Sequence, residues 1–184
     1  MNDYSWKTKR SLQLLESAVS ARAQFRSAAP RAVRWEVLHA ALGVELPPDF
    51  RALAEAYPPL EFEDFLRIEL PRVGEESSYV ARVREASEIL QDLCDMGDAV
   101  DYVPYPEPGG LLLWGSSTSG DCFYWRTWSE SPADWPIVVM GENGDWSEHV
   151  IGVVDFLAAI YRKDVLPPGM PENFPSDYPD VVAL

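Results

Sequence analysis

Residues that usually carry chemistry are scarce in this chain. Its 184 residues include two cysteines, Cys94 and Cys122, and two histidines, His39 and His149. The cysteines form no Cys-x-x-Cys pair and no regular framework, which excludes a disulfide scaffold and leads us to expect a reducing cytoplasm rather than secretion. The histidines fall apart, one on an expected helix and one on an expected strand. No i, i+4 imidazole pair exists to hold zinc or a di-iron centre, and both read as ordinary, partly buried histidines. No stretch reaches the roughly 18 to 20 apolar residues that a membrane-spanning helix requires, and Lys, Arg, Gln and Glu interrupt the first thirty residues, where a secretory leader would be apolar. There is no Asn-x-Ser/Thr sequon and no internal repeat.

Positive charge is also short. Fifteen Lys and Arg face thirty Asp and Glu, a net charge of −15, with an isoelectric point near 4.4. Such a surface repels nucleic-acid backbones and anionic membranes within a Debye length of about 8 Å, so neither is expected as a partner. The bases are concentrated early. Residues 1–34 hold seven of them against Asp3 and Glu16, and we read this segment as a basic helix docked on an acidic body.

Catalytic patterns are missing as well. Gly115-Ser-Ser-Thr-Ser-Gly120 lacks the glycine at 119 that a nucleophile elbow needs, and it leads into a strand, whereas a phosphate loop feeds a helix N-terminus. It reads as a hairpin turn. Acid pairs such as Glu61 with Glu63, or Asp95 with Asp98 and Asp101, are too common among thirty acids to mark a site. The last three lack the alternating ligands and closing Glu of a calcium loop. No catalytic residue, metal or cofactor is assigned, and we expect a protein that is not an enzyme.

What the chain does have is a β-rich centre. Leu111–Trp114, Asp121–Thr127, Ile137–Met140 and Asp145–Val150 are apolar, β-branched or aromatic runs bounded by Gly, Ser, Pro or Asn, the pattern of an antiparallel meander. Asn143-Gly144 predicts a type I′ hairpin between the last two. Phe65–Leu70 alternates as a half-buried strand. Helical spacing predicts a first helix over 8–28 with Leu14, Ala18, Ala21 and Phe25 inward, and a second beginning at Pro30 and ending at Gly43. A third runs from Pro48 to the Pro58-Pro59 stop, a longer one from Tyr79 to Met96 with Gly97 as its stop, and a last one from Val153 to Lys163. Five prolines from Leu166 onward predict a tail that is disordered or extended, pinned by Phe174 and Tyr178. The expected fold class is α+β, an antiparallel central sheet with helices packed against it. Its divisions are a basic helix over 1–32, a folded domain over 33–165 and a Pro-rich tail over 166–184.

Among the tryptophans, Trp114, Trp125, Trp135 and Trp146 read as packing, whereas Trp128, in Thr-Trp-Ser-Glu-Ser just past a strand, reads as an exposed anchor ringed by acids.

Three motifs carry a family resemblance. Trp35-Glu-Val-Leu-His-Ala-Ala-Leu-Gly-Val-Glu-Leu-Pro-Pro-Asp-Phe is similar to the opening signature of the SUKH superfamily. Leu112-Leu-Trp-Gly-Ser-Ser-Thr-Ser-Gly-Asp-Cys-Phe-Tyr-Trp resembles its sheet signature, and Val153-Val-Asp-Phe-Leu-Ala-Ala-Ile-Tyr resembles its closing helix. The matching residues are Trp35, Gly43, Pro47, Trp114, Gly120 and Asp121, all expected to serve folding. Tyr57-Pro-Pro-Leu departs from the Tyr-Gly that members often carry there, and both chain ends lie outside the pattern. The resemblance implies an α+β fold and protein binding. Bacterial members are regarded as immunity proteins against toxins, often nucleases, and eukaryotic relatives as regulators of cell-wall synthesis and signalling. A basic toxin is thus the expected partner, met by an acidic surface that includes Trp128, Glu130, Asp121, Glu142 and Asp145. A regulatory scaffold for an endogenous protein is the alternative.

Overall fold

The structure is a computed structural model that describes residues 4–99, 101–171 and 173–184. Its fold is α+β. Seven antiparallel strands lie in the order β6-β5-β4-β3-β2-β1-β7, comprising β1 (Leu60–Phe62), β2 (Leu66–Ile68), β3 (Leu111–Ser117), β4 (Cys122–Arg126), β5 (Ile137–Met140), β6 (Trp146–His149) and β7 (Val181–Ala183). Among the described residues, five α-helices pack around them: α1 (Tyr4–Ala18), α2 (Trp35–Leu42), α3 (Pro48–Ala56), α4 (Glu76–Met96) and α5 (Val153–Tyr161).

Register assigns the faces. Trp125 pairs with Leu112 and Ile137, while Tyr124 pairs with Leu113 and Val138, so the two sets point to opposite sides. The first side, with Trp114, Phe123 and Phe62, joins one core with α3 and α5, where Phe50 meets Trp125 edge-on at 4.8 Å between ring centroids. The second side carries Leu111, Leu113, Tyr124 and Val138 under Leu90 of α4, with Leu93 and Cys94 beside it. Eight of the nine residues of α5 are buried, all but Asp155 in its first turn, as a helix that is apolar on nearly every side requires.

The helix ends follow local rules. Pro48 opens α3 and Pro58 follows its end. Gly43 (φ 80°) and Gly97 (φ 87°) adopt the left-handed turn that ends α2 and α4. At α4 the Gly97 and Asp98 amides donate to Cys94 O at 3.1 Å and Leu93 O at 2.9 Å. A carboxylate from another helix caps α5, because Asp49 of α3 accepts the Val154 amide at 3.1 Å.

Several expectations need correction. The first helix ends at Ala18, and Ser20–Phe25 continues as a 3₁₀ helix. Arg22 is drawn inside, fully buried over the Tyr57 ring at 4.4 Å, with Nη2 donating to Leu12 O at 3.2 Å. Leu12, Leu15 and Val19 are the most deeply buried apolar residues of this segment, and the expected Leu14, Ala18, Ala21 and Phe25 are partly buried against the same core. Helix α2 begins at Trp35, not Pro30, because the Glu76 carboxylate accepts the Arg34 amide at 3.1 Å and fixes the start there. In the β5–β6 turn only Gly144 has positive φ, 79°, and Gly141 N–H donates to Asp145 O at 2.7 Å, which makes a three-residue bulged loop in place of type I′. Positive φ at two central residues occurs instead at Glu63 (56°) and Asp64 (51°), between β1 and β2. The tail is folded in. Phe174 is buried, Tyr178 is 92% exposed and pins nothing, and Val181–Ala183 pairs with β1, a strand that the sequence pattern did not reveal either.

Candidate functional site

Beyond β4 the chain makes a loop, residues 127–136, that two tryptophans brace from opposite ends. Trp128 Nε1 donates forward to Asp134 O at 3.0 Å, and Trp135 Nε1 donates back to Ser129 O at 2.6 Å. The Pro132–Asp134 3₁₀ turn closes the loop, and Thr127 anchors its base to Gly110 O through N at 3.0 Å and Oγ1 at 2.9 Å. Trp135 is buried and Trp128 is 66% exposed. With its N–H already used, Trp128 offers an outside molecule its apolar ring, held in place before any contact is made.

The same loop forms one wall of a groove. Thr127, Ser129, Glu130, Pro132 and Trp135 face Gly43, Val44 and Glu45 of the α2–α3 joint and Tyr105 to Pro108 across a cleft of about 490 Å³. It adjoins a second cleft of about 430 Å³ through His39, Val44 and Glu45. There the Arg51 guanidinium lies 5.1 Å from the Trp35 ring centre and 3.5 Å from Glu45. Glu36, Glu45, Glu107 and Glu130 thus line the joined groove against the single guanidinium of Arg51. Tyr105, whose hydroxyl donates to Leu42 O, is pushed up in pKa by burial and stays a neutral phenol.

The five expected binding residues do not form one patch. Trp128 and Glu130 share the braced loop. Glu142 and Asp145 are exposed in the β5–β6 turn, at the other end of β4 and β5 and on the order of 15 Å away, given about 3.3 Å per strand residue. Asp121 leaves the surface set. It is buried, accepts from Ser117 Oγ on one oxygen and from the Glu142 amide at 2.9 Å on the other, and so ties the β3–β4 hairpin to the β5–β6 hairpin. Ser117 Oγ also accepts the Asp121 amide at 3.0 Å, which commits that serine to the turn.

Most of the other motif residues are likewise placed for folding. Trp114 is buried among Phe123, Trp125 and Phe156, Gly120 has φ 104°, and Trp35 Nε1 donates to Glu55 at 2.8 Å. Burial raises the pKa of both thiols, away from the nucleophilic thiolate. His149 is half-buried, with its pKa lowered by burial, whereas His39 is exposed at the groove, contrary to the expectation of partial burial. Among the described residues no three His, Cys, Asp or Glu side chains converge as a metal site, and no helix is long and apolar enough to cross a membrane.

The groove went unread in the sequence because its walls come from three separated stretches, near 39–45, 105–108 and 127–135. The available signal was the Pro-aromatic-acid composition of Tyr105-Pro-Glu-Pro and of Trp128-Ser-Glu-Ser-Pro. Comparison with protein-family models, with curated proteins and with solved structures gives no match for this chain, so the SUKH resemblance rests on the three sequence motifs alone.

Proposed function

We propose that this protein is a non-enzymatic binding module of the immunity type, which neutralises a basic bacterial toxin, such as a nuclease, by covering the toxin's cationic surface. The observation that carries the reading is Trp128, a largely exposed indole fixed on a braced loop next to a groove with a surplus of carboxylates. An acidic field speeds encounter with a basic partner, and a rigid aromatic anchor slows its escape. In this reading Trp128 and Glu130 act together, and Glu142 and Asp145 add only to the long-range field.

The test is to immobilise the full chain, pass a lysate of the source cells over it at low salt, elute with salt and assay what is released. The expected result is one basic protein whose toxic activity disappears when the binding protein is added back. Trp128→Ala is expected to weaken that complex by about 2 kcal/mol, roughly thirtyfold, while lowering the melting temperature only slightly through the lost bond to Asp134 O. A bound protein with no activity to block sinks the immunity reading.

The regulatory alternative draws on Tyr178, which stands 92% exposed on the tail. Tyr178→Ala tests it better than truncation, since removing the tail also strips β7 from β1. Loss of an endogenous partner in Tyr178→Ala, with Trp128→Ala silent, favours the scaffold.

A further inference from the structure

We infer that the cleft between Tyr105, Glu107, Glu130 and Trp135 is a socket for an arginine side chain of the partner, an inference that rests on the reading above that the partner is a basic protein. Among the described residues, the carboxylates of Glu45, Glu107 and Glu130 line this cleft and no lysine or arginine does; Glu45 is ion-paired at 3.5 Å to Arg51 of the adjoining cleft. A cation is therefore its complementary occupant.

The walls select among cations. Tyr105 and the prolines at 106, 108 and 132 present flat, weakly polar surfaces, with the buried Trp135 forming the floor beneath them. A planar, weakly hydrated guanidinium stacks on such surfaces and forks to carboxylates, whereas an ammonium gives up more hydration to enter. The molecule already uses this mode next door, where Arg51 sits over Trp35 with Glu45 at 3.5 Å. Glu45 lines both clefts and is ion-paired to Arg51, which leaves Glu107 and Glu130 as the carboxylates that meet an incoming guanidinium. Elsewhere Arg22 lies over Tyr57 at 4.4 Å and Arg126 over Tyr102 at 5.7 Å.

The socket is also set before binding. Trp135 is held through its Nε1 bond to Ser129 O, Tyr105 through its hydroxyl on Leu42 O, and Thr127 through Gly110 O. A volume of about 490 Å³ exceeds what one guanidinium fills and admits the side chain with its flanking backbone.

The experiment uses the full chain, isotopically labelled for amide and indole N–H signals and titrated at low salt with a capped oligo-arginine peptide and with the oligo-lysine peptide of equal length. The Trp135 indole and the Glu107 and Glu130 amides are expected to shift most, and the arginine peptide is expected to bind about fivefold tighter than the lysine peptide. In Glu107→Gln/Glu130→Gln, arginine-peptide affinity is expected to fall about tenfold and the preference to vanish, whereas Glu142→Gln/Asp145→Asn, an equal charge change on the far hairpin, is expected to stay within about twofold. All four positions are exposed, and unchanged melting temperatures certify the variants. Equal affinity for the two peptides, or equal loss in the two double variants, overturns the socket. The two proposals also fail separately: a toxin retained undiminished by Glu107→Gln/Glu130→Gln removes the socket and spares the immunity function. Arginine-selective binding with no toxin captured spares the socket and removes the immunity function.

Discussion

Glu76 shows how one buried charge can organise two helices. Its side chain has no exposed surface, yet it accepts Arg34 Nε at 3.0 Å and Nη2 at 2.6 Å, the Arg34 amide at 3.1 Å and the Gly74 amide at 3.3 Å. It thus meets the positive N-terminal ends of both α2 and α4. The bonds from the Arg34 side chain, followed by those from the backbone amides, hold its pKa down at about 2, against about 4.3 in an unfolded chain. A depressed pKa means that the ionised carboxylate favours the fold. That contribution is complete above about pH 4.5 and is lost as the pH falls towards 2. Thermal melting should therefore drop through this acid window in the parent chain. In Glu76→Gln it should start lower at neutral pH and decline less. Parallel pH profiles for the two proteins contradict this assignment.

At the scale of elements, the Leu-Pro-Pro-Asp-Phe motif and the closing helix share one core and are tied by a hydrogen bond from the Val154 amide to Asp49. Gly152 is required beside it, because an added Cβ would lie 2.6 Å from Asp49 Oδ2. Burial raises the Asp49 pKa, so the carboxylate is a strained acceptor despite its hydrogen bonds. Asp49→Asn keeps an acceptor and sheds the charge; Asp49→Ala uncaps α5. Denaturant titration at neutral pH should show a loss of about 1 kcal/mol for Ala and a smaller loss for Asn. Equal losses mean that the charge matters more than the cap. Elements of this kind were legible, since Gly43, Pro48 and Gly97 punctuate clear apolar periodicities and the four runs from Leu111 to Val150 all became strands. The break after Ala18 was not legible, because nothing at Val19-Ser20 marks it and its origin, Arg22 over Tyr57, is a tertiary contact. Strands β1 and β7 escaped for a related reason: each is three residues long, and pairing rather than propensity makes it a strand.

The molecule as a whole keeps its charges separated. The early bases were legible as an amphipathic basic segment, but their tasks appear only in the fold. Arg22 and Arg26 meet Glu16, Arg31 bonds Ala54 O at 2.9 Å and Tyr57 O at 2.7 Å, and Arg34 holds Glu76. These four are occupied within the chain, while Lys7, Lys9 and Arg10 remain exposed on α1. The rest of the chain, with eight bases against twenty-eight acids, keeps its negative field. Trp128 was legible as an exposed residue because a tryptophan among Ser and Glu past a strand has no core to join. Asp121 was misread as a surface acid because a Gly-Asp turn looks the same in sequence whether its carboxylate faces water or a neighbouring hairpin. The most direct measurement is the association and dissociation kinetics of the captured basic protein with the parent chain and with Trp128→Ala over a series of salt concentrations. Acidic steering with an aromatic anchor predicts association that slows steeply with salt in both proteins and dissociation that quickens only in Trp128→Ala. Association indifferent to salt, or dissociation unchanged by the loss of Trp128, contradicts it.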